Sequence, residues 1–205
     1  MKNNSAEKYG VTCFENNSCF LFVKDKQKNV TSTLATISPY KHVTEKVQKA
    51  GFLPIANTLF VVSVKDLRWV VIPMPPNIEW PEEQWIDALD LGQELSEKLN
   101  VKTMVYQSTH PEECICYQLF ESGRESDYFK HAAAVHALCG AYKSGSFDES
   151  NEDPQGWVNR VFTKFRIAVF PIDYELIIRN LSETGFGGKE VDRLNCEITR
   201  IDAVN

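Results

Sequence analysis

Residues 58–73 read Thr-Leu-Phe-Val-Val-Ser-Val-Lys-Asp-Leu-Arg-Trp-Val-Val-Ile-Pro, and the rest of the fold is read outward from them. Two runs rich in Val, Ile, Phe and Trp, Thr58–Val64 and Arg68–Pro73, flank the polar Lys65-Asp66-Leu67. Such side chains suit a pleated, half-buried surface, so the pattern predicts two strands joined as a hairpin. Met74-Pro75-Pro76-Asn77 then leads in an extended conformation to Trp80-Pro81-Glu82-Glu83, where proline at the first helical position and acids in the first turn favour a helix start. The helix is expected over Glu82–Leu99. Trp85, Ile86, Leu89, Leu95 and Leu99 form its apolar stripe, and Asn100 takes the left-handed conformation that ends it.

Beyond Asn100, Lys102–Ser108 and Ile115–Glu121 read as two further strands, and Ser122-Gly123 turns the chain into a third over Asp127–Lys130. The local order is β-β-α-β-β-β. Strands in adjacent pairs with few helices between them favour an α+β fold, a mostly antiparallel sheet with helices packed on one face, over a doubly wound α/β fold. The flanks are less legible. Val11–Phe14 and Cys19–Val23 suggest a hairpin around Glu15-Asn16-Asn17-Ser18. Ser38-Pro39 followed by Tyr40, Val43 and Val47 suggests a short amphipathic helix stopped at Gly51. Ala132–Tyr142 is helix-prone and Lys143–Gly156 loop-like. Trp157, Val161, Phe162 and Phe165 share a helical face, and Leu194, Cys196 and Ile198 alternate with polar residues as an edge-like strand. At 205 residues the chain is expected to be one domain, with 1–57, 58–142 and 157–205 as its pieces.

Lys plus Arg number 22 against 28 Asp plus Glu, a net charge of −6, which argues against nucleic acid as a partner. No apolar run approaches the ~20 residues that cross a bilayer, so no membrane insertion is expected. The six cysteines, Cys13, Cys19, Cys114, Cys116, Cys139 and Cys196, are scattered rather than framework-spaced, and residues 1–10 lack the apolar stretch of a secretion signal. Reduced thiols and a cytoplasmic location are expected.

The chemistry-bearing residues are weakly organised. His110-x-x-x-Cys114-x-Cys116 is the densest group of soft-metal ligands, yet a structural zinc site needs four ligands and no second half is visible; two strand thiols are the simpler reading. His131 and His136 are five apart, which on a helix leaves them about 140° apart rather than on one face. His136-x-x-Cys139 has a spacing open to a thiolate–imidazolium pair, but among alanines it reads as packing. Gly185-Phe186-Gly187-Gly188 lacks the strand and helix that would make a phosphate cradle. No cofactor and no metal are expected. Trp80 and Trp85 read as closing one end of the core, the alternative being an exposed binding platform.

Asp87, Asp90, Glu94 and Glu97, spaced by three, four and three, are the better-motivated feature. The spacing puts all four on one helical stripe, each like-charged pair costing a few tenths of a kcal/mol, with Lys98 the first compensating base. The layout of hairpin, acidic helix and strand pair ending in Tyr117–Gly123 resembles, at fold level only, small bacterial accessory modules including some toxin-immunity proteins, which implies no function. The expectation is a cytoplasmic, non-enzymatic protein-binding or regulatory module whose acidic helix face engages a basic partner. The alternative is a small-ligand binder or enzyme with a Cys/His-lined pocket.

Overall fold

The computed structural model describes residues 18–37, 40–44, 58–74, 81–109, 114–131, 153–167 and 196–203. The elements there are β1 (Ser18–Val23), α1 (Gln27–Leu34), β2 (Tyr40–Thr44), β3 (Thr58–Val64), β4 (Val70–Pro73), α2 (Pro81–Leu99), β5 (Lys102–Thr109), β6 (Cys114–Glu121), β7 (Arg124–His131), α3 (Pro154–Phe165) and β8 (Cys196–Ala203). All eight strands join one sheet in the order β2-β8-β3-β4-β1-β5-β6-β7, and every pairing is antiparallel. This is the expected α+β class, with β3-β4-α2-β5-β6-β7 as the expected central unit. Strands from both ends of the chain belong to the same sheet.

The sheet is covered on both faces rather than one. Alternate residues of β1 divide between two cores: Cys19, Leu21 and Val23 pack with α1 and α2 through Val30, Leu34, Ala88, Leu91 and Leu95, whereas Phe20 and Phe22 pack with α3 through Trp157, Val158, Val161 and Phe162. Central strands that are apolar on both sides cannot leave one side in water, so a second helical layer is required. The α3 layer is the aromatic one. Phe162 meets Phe22 and Tyr106 edge-on, and Trp69 meets Phe165 edge-on while its Nε1 donates to the Phe165 carbonyl at 2.8 Å.

Local chemistry accounts for the element ends. Asn100 ends α2 at φ 54°, as expected, and Ser122 and Gly123 both take positive φ, 52° and 77°. That pair of angles is the two-residue turn whose twist matches flanking antiparallel strands. Asp153 caps α3 by accepting from the Gly156 amide, and Pro154 follows at the first turn. The loop expected to run to Gly156 therefore ends earlier.

Two flank expectations are corrected. Tyr40–Thr44 is a strand, not the start of a helix, and it pairs with β8 across a bulge between Tyr40 and His42. Its Val43 and Thr44 are β-prone, and the distant β8 supplies the ladder that periodicity within the segment cannot reveal. β1 has β4 and β5 as its neighbours; Val11–Phe14, the other arm of the expected hairpin, lie outside the described residues. β8 is interior, between β2 and β3. Of its polar side chains, Glu197 is exposed, while Thr199 meets the Gln27 amide of α1, which donates to the Val61 and Glu197 carbonyls and to Thr199 Oγ1 and accepts from Ser63 Oγ. Ala132–Tyr142 and Gly185–Gly188 lie outside the described residues. No described helix is long and apolar enough to cross a membrane.

Candidate functional site

The position of the acidic stripe follows from what α2 buries. Among the described side chains of α2, Ala88, Leu91, Leu95 and Ser96 are buried, and Leu89 and Leu99 are half-buried. The described core-facing stripe thus runs through Ala88, Gly92 and Leu95, with Leu89 at its edge. The reason is a line of small residues, Ala88, Gly92 and Ser96, that lets the helix lie close to the sheet. At Gly92 an added Cβ would come within 2.9 Å of Val105 Cγ2 and 3.1 Å of Leu21 Cδ1. Burying Leu95 completely contributes about 1.5–3 kcal/mol relative to exposure.

With that face fixed, Asp87, Asp90, Glu94 and Glu97 lie about 150° around the helix from it. Asp87, Asp90 and Glu97 are exposed and Glu94 is half-buried. Lys98 approaches Glu94 Oε1 at 3.5 Å, an exposed pair of little energetic weight. The stripe is about 15 Å long at 1.5 Å per residue. Its C-terminal end is held in place: Ser96 Oγ donates to the Val101 carbonyl at 2.6 Å and accepts from the Gly123 amide at 3.1 Å, and Gln93 Nε2 donates to the Gly123 carbonyl at 3.0 Å. The Glu97 stem lies against the same turn, since a Cβ at Gly123 would sit 2.8 Å from Glu97 Cβ. The carboxylates are thus carried on a rigid helix braced by the β6–β7 turn, a geometry able to orient a cationic surface.

The thiols and imidazoles are placed differently. Cys19, Gln107 and Cys116 lie side by side across β1, β5 and β6, so Gln107 stands between the two thiols. Cys116 is buried, its Sγ 3.8 Å from the Gln107 carbonyl oxygen. Burial pushes the Cys19 thiol far above its ordinary range, and pushes that of the half-buried Cys196 up to about 11. Thiols so disfavoured as thiolates are poor nucleophiles and poor metal ligands. His131 ends strand β7 opposite Ile115, so the helical spacing considered for it does not apply. Among the described residues no three His, Cys, Asp or Glu side chains gather as a metal site. Residues His110, His136, Cys139 and Trp80, and the side chains of Cys114 and Trp85, lie outside the described residues.

One constellation has no counterpart in the sequence reading. Trp157 Nε1 of α3 donates to Tyr117 Oη at 3.2 Å, and Tyr117 Oη donates onward to Asp127 Oδ2 at 3.2 Å. The Tyr117 ring stacks on Phe129, and the Arg160 guanidinium lies 4.7 Å from the Trp157 ring centre. Burial, reinforced by the Asp127 charge, raises the Tyr117 phenol well above its ordinary value. It is a neutral, fully oriented hydroxyl that pins α3 to β6 and β7. Forty residues separate Trp157 from Tyr117, so no local spacing announces the pair.

Comparison of the chain with known protein families, with curated proteins and with solved structures gives no match. The fold-level likeness to bacterial accessory modules is left without a supporting relative, and the function must be argued from the chain's own surface.

Proposed function

We propose that this protein is a cytoplasmic, non-enzymatic binding module that docks a basic protein partner on the exposed face of α2. The observation that supports the reading is the stripe Asp87, Asp90, Glu94 and Glu97 on a braced helix, turned to solvent and balanced along its length by Lys98 alone among the charges of α2. A row of like charges costs helix stability, and on a rigid element it steers and orients an oppositely charged surface. The cytoplasmic setting is supported by Cys19 and Cys196, which are free thiols.

The test is a calorimetric titration with a short helical peptide bearing Lys at i, i+3, i+4 and i+7, repeated over a range of salt. The Asp87→Lys/Glu94→Lys variant is expected to lose about tenfold or more in affinity and most of its salt dependence. A control of equal charge change away from the stripe, Asp66→Lys/Glu197→Lys, is expected to bind as the parent does. Equal affinity and equal salt slope for the stripe variant and the parent would reduce the stripe to a solvated helix face.

A further inference from the structure

We draw no further inference here: the strongest candidate, the outward bases Arg160 and Lys164 of α3 with Arg166 at its C-cap, across the sheet from the acidic α2, carries nothing because nothing in the structure shows what covers it.

Discussion

Thr103 Oγ1 donates to the carbonyl oxygen of Gly92 at 2.7 Å in a buried contact, tying the middle of α2 to the start of β5. The bond is possible because residue 92 has no side chain: Val105 Cγ2 and Leu21 Cδ1 already occupy the space a Cβ would take. Close approach, small residue and hydroxyl donor are one arrangement, and it fixes how the acidic face of α2 is presented.

Gly92→Val is therefore expected to destabilise the protein by about 1–3 kcal/mol through overpacking against a stiff, β-branched neighbour. Gly92→Ala should lose less, since alanine gains about 1 kcal/mol of helix propensity that offsets part of the clash. Thr103→Val, nearly isosteric, removes one hydrogen bond from a carbonyl that α2 also uses internally, and should cost about 0.5–1.5 kcal/mol. Urea midpoints measure all three. A Gly92→Val protein as stable as the parent would mean that α2 does not pack this closely.

Removing the Trp157–Tyr117 bond tests the anchoring of α3. Tyr117→Phe and Trp157→Phe each delete one side of a buried donor–acceptor pair, and each is expected to cost about 1–3 kcal/mol. Residues in contact within one network couple, so the double variant should be less damaged than the sum by about 0.5 kcal/mol or more. Strict additivity in the double-mutant cycle would show that the two side chains do not interact.

The parts of this architecture that were legible in the sequence are those whose signal is local. Thr58–Val64, the helix through Leu99, the left-handed Asn100 and the Ser122-Gly123 turn each carry their own residue-type evidence. Helix α1 was missed although Val30, Leu34 and Ile37, all buried, recur at helical spacing; flanking lysines and threonines masked a run only eight residues long. On α2, Ala88, Gly92 and Ser96 register as neutral in a hydrophobic pattern, while on the sheet they are the residues of closest approach. β2, β8 and the Trp157–Tyr117–Asp127 chain depend on partners far away in sequence, where neither periodicity nor composition carries information. The four carboxylates were legible because a helix alone puts them on one face.

Alkaline pH should unfold the protein progressively. The native state holds the Cys19 thiol protonated far above its ordinary range and does the same for the Tyr117 phenol. The unfolded chain releases these protons near pH ~8.5 and ~10 respectively. Both native values are raised, so the stability they contribute is complete below the unfolded value and is lost as pH climbs beyond it, by about 1.4 kcal/mol per pH unit for each group. Cys19→Ala should flatten the decline between about pH 9 and pH 10 by close to one proton's worth. Denaturant unfolding at several pH values reads this directly, and an unchanged slope in the variant would show that Cys19 ionises freely in the native state.

Gln27 offers the sharpest test of how the two ends of the chain are joined. Its side-chain nitrogen lies 2.9 Å from the Val61 carbonyl oxygen, 3.1 Å from that of Glu197 and 3.2 Å from Thr199 Oγ1, while its oxygen accepts from Ser63 Oγ at 2.9 Å. Alanine would leave these groups to water or to one another, at about 1–3 kcal/mol. Glutamate should do worse at neutral pH, because an ionised carboxylate has no proton to give and faces two carbonyl oxygens. Protonation restores a donor, so the native pKa of a Gln27→Glu carboxyl should be raised above its unfolded value near ~4.3. Its relative stability then improves as pH falls through that native value and is complete below the unfolded one. The expected ranking at neutral pH is Gln above Ala above Glu, with Glu gaining on Ala in acid. A Glu variant equal to the parent at neutral pH would mean that the amide does not hold α1 against β3 and β8.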